Sequence, residues 1–209
     1  MYMKSLFIDA KSDIDISIPK DQIKKLPKKI GIATTIQHLH KIKDIQKQIP
    51  NSIIAGQILG CSAESAKKIE NDVDAFLYIG SGVFHPLEIA YETKKDVFCF
   101  NPSSKQLSKI TKADVERHEA RKRTSLIKFL SADKVGILVS TKPGQNRMKD
   151  AEELSKRKDK EYYLFAFDTL NEMDMENFPF IQCWVNTACP RIADGKPNII
   201  NIDDVPAKH

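Results

Sequence analysis

Lys29-Ile30-Gly31-Ile32-Ala33-Thr34-Thr35 is the stretch that decides the fold, because Lys134-Val135-Gly136-Ile137-Leu138-Val139-Ser140 repeats its form 105 residues later. Both run lysine, β-branched residue, glycine, isoleucine, two residues, then a hydroxyl side chain. A short apolar run of this kind reads as a buried strand. After the first copy, Ile36, Leu39, Ile42, Ile45 and Ile49 recur at about helical spacing with lysines between them. That spacing predicts one amphipathic helix, stopped at Pro50-Asn51. The pattern continues as a short strand at 52–54, a helix at 63–69, a strand at 75–79, a short helix at 87–91 and a strand at 97–100. A long basic helix spans 112–130. After the second copy come a helix at 147–156 and strands at 162–167, 180–185 and 198–202. Ahead of the first copy lie a brief strand at 6–8 and the alternating Ile14-Asp15-Ile16-Ser17-Ile18, which ends at Pro19.

Strands alternating with helices imply parallel sheets with helices on both faces. The expected fold is α/β: two small flavodoxin-like units, residues 23–110 and 131–209, joined by a basic helix over 111–130. The chain has 209 residues, 41% hydrophobic and 29% charged, which excludes a disordered or collagen-like chain. No apolar run reaches the roughly 18 residues of a membrane-spanning helix. Met1-Tyr2-Met3-Lys4 leads into Ser5-Leu6-Phe7-Ile8-Asp9 with no apolar stretch of signal-peptide length, so a cytoplasmic protein without membrane contact is expected. The net charge of +5 permits an acidic partner without requiring one. Four cysteines are too few for a disulfide framework in a chain this long.

In open α/β sheets, sites form in the loops after the carboxyl ends of strands. Four segments fall there. In Gly56-Gln57-Ile58-Leu59-Gly60-Cys61-Ser62, Cys61 precedes a helix with Ser62 as N-cap candidate. A helix N-terminus favours a thiolate, so Cys61 reads as reactive or metal-binding, against a packed free cysteine. In Gly80-Ser81-Gly82-Val83-Phe84-His85-Pro86 the glycines let backbone N–H groups converge on an anion, and His85 is a candidate acid, base or donor. A tight turn with a capping histidine is the alternative. Ser140-Thr141-Lys142-Pro143-Gly144-Gln145 holds the corresponding place in the second unit, where Lys142 reads as meeting a carboxylate or phosphate, against a solvated loop lysine. In Asn186-Thr187-Ala188-Cys189-Pro190-Arg191, Cys189 lies past a strand end, and a Cys-Pro pair is also seen at iron–sulfur ligands. Arg191 offers a bidentate fork. Cys99 and Cys183 lie within strands and read as core. The basic helix, with Arg117, His118, Arg121, Lys122, Arg123 and Lys128, reads as a solvated face or as an RNA or partner surface.

Phe7-Ile8-Asp9-Ala10-Lys11-Ser12-Asp13-Ile14-Asp15, Thr34-Thr35-Ile36-Gln37-His38-Leu39 and Tyr78-Ile79 ahead of the glycine loop complete an ordered set with these segments. Together they resemble the diphthamide-synthesis family, 2-(3-amino-3-carboxypropyl)histidine synthase, across nearly the whole chain. The resemblance implies related α/β domains around a 4Fe-4S cluster, with Cys61 and Cys189 as two of three cysteine ligands. It further implies S-adenosylmethionine as substrate, cleaved after cluster reduction to a 3-amino-3-carboxypropyl radical. That radical adds to a histidine of translation elongation factor 2. Gly80, Ser81, Gly82, His85, Lys142, Gln145 and Arg191 become candidate contacts to S-adenosylmethionine. The family's first domain, with the first cysteine ligand, has only a tail-like counterpart here, at residues 1–22. The expectation is therefore a split enzyme. A separate polypeptide supplies the first domain and third cysteine, residues 5–18 complete that partner's sheet, and an electron donor and a homo- or hetero-oligomer are implied. A non-catalytic scaffold or regulatory subunit is the alternative, and an α/β nucleotide-binding protein of another function is a third reading.

Overall fold

The structure is a computed structural model that describes residue 6, residues 8–59 and residues 62–207. It forms two compact units, residues 1–118 and residues 119–209, each taken here by itself. No helix among the described residues is long and apolar enough to cross a membrane.

The first unit runs α1 (Lys20–Ile23), β1 (Ile30–Thr34), α2 (Ile36–Leu39), α3 (Ile42–Gln48), β2 (Ile53–Gln57), α4 (Glu64–Lys67), β3 (Ala75–Ile79), α5 (Phe84–Thr93), β4 (Asp96–Asn101) and β5 (Gln106–Lys109). The unit boundary then falls inside α6 (Lys112–Ser131). The sheet order is β2-β1-β3-β4-β5, with β1, β2, β3 and β4 parallel. Alternate strand residues feed two cores, one on each sheet face. Ala33, Phe76, Tyr78, Val97 and Cys99 pack with Ala66 of α4 and Ile89 and Ala90 of α5. Ile30, Ile32, Ala75, Leu77 and Ile79 pack with Ile42 and Ile45 of α3.

The second unit runs β6 (Lys134–Ser140), α7 (Met148–Ser155), β7 (Glu161–Phe167), α8 (Glu172–Glu176), β8 (Cys183–Asn186) and β9 (Ile199–Asn201). Its order, β7-β6-β8-β9, is all parallel and matches the first four strands of the other unit. The shared order is the flavodoxin-like 2-1-3-4. Val135, Ile137, Val139, Cys183 and Val185 face Ala151 and Leu154 of α7. Leu138, Trp184 and Ile199 face an aromatic layer that includes Phe165 and Phe178.

The elements depart from the sequence pattern in several places. Leu6 and Ile8 form no strand and are 85% and 82% exposed. The single helix expected over 36–49 is two, α2 and α3. The break at His40-Lys41 keeps Leu39 and Ile42 on the same core, and Lys41 Nζ turns back to donate to the Ile14 carbonyl at 2.7 Å. β5 was not legible because it is a polar edge strand. It pairs antiparallel with β4 after a turn in which Ser103 and Ser104 N–H donate to Asn101 Oδ1. Residues 180–182 precede β8: Ile181 N–H closes a turn onto Phe178 O at 3.0 Å, and Gln182 Oε1 accepts Asp133 and Lys134 N–H. Ile16 and Ile18 alternate as expected, but they are buried in the first unit's own core, so this part of the 5–18 segment packs on its own unit and not in a partner's sheet.

Candidate functional site

The carboxyl ends of β1, β2 and β3 lie side by side, since Thr34 stands in register with both Gln57 and Ile79. Thr34 is fully buried, and its hydroxyl donates to the Ile79 carbonyl at 2.8 Å, tying two strand ends together. A register shift opposite Gly56, whose φ is 98°, is a bulge that glycine tolerates, and beyond it Ile58 N–H reaches the Thr34 carbonyl at 2.8 Å. Leu59 and Ser62 then close a turn, with Ser62 N–H donating to Leu59 O at 3.1 Å. Gly60 and Cys61 lie outside the described residues, as do Met1 to Ser5 and Phe7. The capping position of α4 is Ala63 rather than the expected Ser62, whose Oγ accepts Glu64 N–H at 3.3 Å. α4 spans one turn instead of the expected 63–69, so its end carries little of a helix dipole.

Past β3, Gly80 N–H donates to Phe100 O at 3.0 Å, and Gly82 takes φ 77°, a value that favours glycine. Ser81 and Gly82 are exposed, and His85 sits half-buried in the first turn of α5. Its ring stacks on Tyr78, with centroids 5.8 Å apart and an interplanar angle of 11°. Tyr78 stood in the recognised motif without a role of its own. Its pattern position says core, and it is 1% exposed, yet its hydroxyl is 3.5 Å from His85 Nδ1. Burial first, and the neighbouring Cys99, push the phenol up to about 12. His38, from the Thr34–Leu39 motif, is buried in α2, and its pKa falls below the ordinary histidine value through burial and the nearby His40 and Lys41.

In the second unit the sheet edge presents the loops after β6 and β8. Gln145 N–H closes a turn onto Lys142 O at 3.1 Å, and Lys142 Nζ lies 3.4 Å from Thr169 Oγ1. Lys142 and Gln145 side chains are exposed, as a ligand-facing loop or a solvated loop requires. Thr187, also buried, donates its N–H and hydroxyl to Leu138 O at 3.1 and 2.8 Å, fixing the start of the Cys189 loop to β6. Asn186, 1% exposed, organises the rest. Its Nδ2 donates to Cys189 O at 2.9 Å and to Asn201 Oδ1 at 2.8 Å, and its Oδ1 accepts Ala188 N–H at 3.0 Å. Asn186 stood in the recognised motif without a role. Only the fold shows it as the clamp. Cys189 is half-buried and precedes a 3-10 turn at Pro190–Ala193, and Arg191 lies largely exposed in that turn, with Nε 3.9 Å from Asp194 Oδ2.

Each unit therefore gathers its own candidates: Gly80, Ser81, Gly82 and His85 in the first, and Lys142, Gln145, Cys189 and Arg191 in the second. Cys99 and Cys183 are buried, and desolvation pushes their thiols up to about 12 and about 11. Neither is suited to act as a thiolate. Among the described residues no three His, Cys, Asp or Glu side chains gather as a metal site. The part of a cluster site that the described residues fit is one cysteine sulfur, that of Cys189, with its backbone held by Asn186.

A family model described as "Putative diphthamide synthesis protein" matches residues 2–195. The 2-(3-amino-3-carboxypropyl)histidine synthase of Pyrococcus horikoshii is 35% identical over 187 residues, covering 82% of this chain and 53% of that protein. The synthase of the same name from Methanocaldococcus jannaschii is 35% identical over 170 residues, covering 79% and 46%. The chain is also similar to the crystal structure of Dph2 from Pyrococcus horikoshii with a 4Fe-4S cluster. The TM-score is 0.73 at 31% identity, over 88% of this chain and 58% of that one. The chain thus spans about half the length of the curated relatives it matches.

Proposed function

The chain belongs to the diphthamide synthesis family, and on that premise we propose that it is a component of a 2-(3-amino-3-carboxypropyl)histidine synthase. In this reading it takes part in the first step of diphthamide biosynthesis. The 3-amino-3-carboxypropyl group of S-adenosylmethionine passes by a radical route to a histidine of translation elongation factor 2. The observation that carries it is the Cys189 loop: a half-exposed thiol at a strand end, its backbone fixed by the buried Asn186, in a chain whose relative's structure holds a 4Fe-4S cluster.

Cys189 would be one cluster ligand and Cys61 a second. When bound, the cluster would supply the electron that splits the Cγ–S bond of the sulfonium. The chain's own residues hold the substrate. Backbone amides of Ser81 and Gly82 offer donors to its carboxylate, with His85 beside them, while the Gly80 amide is already bonded to the Phe100 carbonyl. Lys142, Gln145 and Arg191 are the second unit's own candidate donors. Asn186 keeps the Cys189 loop from collapsing into the core, because its amide is satisfied on three sides within the fold.

The matched relatives are about twice as long as the matched stretch, and in this reading a separate polypeptide is the source of the remaining ligand. The exposed Leu6, Ile8 and Ile14 offer that polypeptide a contact. An electron donor and a cytoplasmic location, beside the elongation factor, complete the reading. A scaffold or regulatory subunit is the competing account.

The test is anaerobic reconstitution with iron and sulfide, with and without the first-domain polypeptide. Iron bound per chain should fall sharply in Cys189→Ala and partly in Asn186→Ala. Full iron content in Cys189→Ala would end the ligand assignment. With reductant, S-adenosylmethionine and elongation factor 2, the complex should release methylthioadenosine. A loaded cluster without product favours the scaffold.

A further inference from the structure

The chain after β9 lies beyond the residues 2–195 that the family model matches, and the proposed function gives it no role. It nevertheless joins both candidate loops of the second unit. At its start, Asn201 stands in register with Asn186 across β8 and β9, and its Oδ1 accepts Asn186 Nδ2 at 2.8 Å. The same Nδ2 donates to the Cys189 carbonyl at 2.9 Å, so both hydrogens of that amide are committed. Two residues on, in the 3-10 turn Ile202–Asp204, the Asp203 carboxylate accepts Arg147 Nη1 and Nη2 at 2.8 and 2.9 Å. Arg147 is the capping residue of α7 and closes the loop that carries Lys142 and Gln145. The other end of that loop is tied by Thr141 N–H to the Phe167 carbonyl at 2.8 Å. Ile202 and Val205 pack on the core that holds Ala151 and Leu154 of α7. Asp204 pairs with Lys122 of α6 at 3.1 Å, and Arg157, just past α7, donates to the Pro206 carbonyl at 2.9 Å. Residues 201–206 thus run along α7 as a strap, fastened near both ends of the helix.

A two-pronged arginine–carboxylate pair fixes direction as well as distance. Arg147 and Asp203 are 39% and 54% exposed, so the pair adds little stability and its consequence is geometric. We propose that Arg147, Asp203 and Asn201 are positioning residues that set the Lys142–Gln145 loop and the Cys189 loop relative to each other. The route runs from Arg147 to Asp203, along the turn to Asn201, and through Asn186 to Cys189. A displacement of one loop is passed to the other along it. As a statement about substrate and cluster, the inference rests on the reading of these two loops under the proposed function. The link itself is a property of the free chain and is measured without ligand or cluster.

The experiment labels the full chain with iodoacetamide and follows each cysteine by peptide mass spectrometry, with hydrogen exchange read at the Gln145 amide. Cys183, fully buried in the same sheet, is the internal control for loosening of the whole unit. Asn201→Ala should speed Cys189 labelling roughly two- to tenfold, the range of one hydrogen bond. Asn201→Asp, which keeps the acceptor, should label at the wild-type rate. Asp203→Asn and Arg147→Met should speed Gln145 exchange and, at the far end of the strap, Cys189 labelling, each roughly two- to fivefold, the range of a half-exposed ion pair. In an Asn201→Ala background, Asp203→Asn should add nothing at Cys189, because the link is already cut. An unchanged Cys189 rate in both Asp203→Asn and Arg147→Met overturns the proposal. So does a gain that multiplies with that of Asn201→Ala, which marks independent effects. A rise at Cys183 equal to that at Cys189 in Asp203→Asn also overturns it, since the unit is then loosened throughout.

Discussion

Gly31 and Gly136 hold the third position of the repeated stretch, and each lies opposite an aromatic ring on the next strand. Gly31 pairs in register with Phe76 and Gly136 with Trp184. A Cβ on Gly31 would sit 2.6 Å from two Phe76 ring carbons, and one on Gly136 would sit 2.5 Å from Trp184 Cζ3. The rings are buried in tight cores and have no free direction in which to move. Gly31→Ala and Gly136→Ala should therefore each destabilise by about 1–3 kcal/mol, the cost of overpacking, rather than stabilise as a strand alanine otherwise would. Urea unfolding checks this, and an unchanged or higher midpoint would show that the rings do move aside. The glycines were legible as a repeat. Their reason was not, because Phe76 and Trp184 lie more than 40 residues away in sequence and reach them only through the parallel register.

Among the elements, the segment before α1 shows how a side chain stands in for a strand. Residues 16–18 form no ladder, yet Gln48 Oε1 accepts Ile18 N–H at 2.9 Å while Gln48 Nε2 donates to Ile16 O at 2.8 Å. One carboxamide thus satisfies the donor and acceptor that a neighbouring strand would, and lets Ile16 and Ile18 bury. Gln48→Ala should expose the Ile18 amide to exchange and cost about 1–3 kcal/mol through the unsatisfied pair. Hydrogen exchange read at Ile18 decides it. Protection equal to wild type would mean that apolar burial alone seats the segment. The period-two alternation of 14–18 was readable. The partner was not, since a polar glutamine at the end of an amphipathic helix looks like any solvated residue. β5 escaped for a related reason: with one apolar residue in four, an edge strand carries almost no hydrophobic period.

For the whole molecule, the buried ionisable groups set a direction for pH. Burial pushes Cys99 and Tyr78 up to about 12 and Cys183 to about 11, so the fold favours their protonated, neutral forms. Their folded values lie above the unfolded ones, about 8.5 for cysteine and 10 for tyrosine. The stability they contribute is complete below the unfolded values and is lost as pH rises through the folded ones. Urea midpoints should hold to about pH 8.5 and then fall toward about pH 12, and Cys99→Ala should make that fall shallower. A flat alkaline profile would mean that these groups ionise without leaving the core.

Residue order alone carried the α/β class, the two-unit repeat and the placing of the glycine loop and the Cys189 loop after strand ends. Strand and helix periods, and the residues that interrupt them, are local properties that survive in a list of residues. It also carried the motifs that mark the family. The folded chain alone reveals which groups meet: Tyr78 with His85, Asn186 with Cys189 and Asn201, Gln48 with the chain before Pro19. Each is a contact between elements. Its existence depends on register and on which face of the sheet a residue takes, and neither is written in the spacing of one segment.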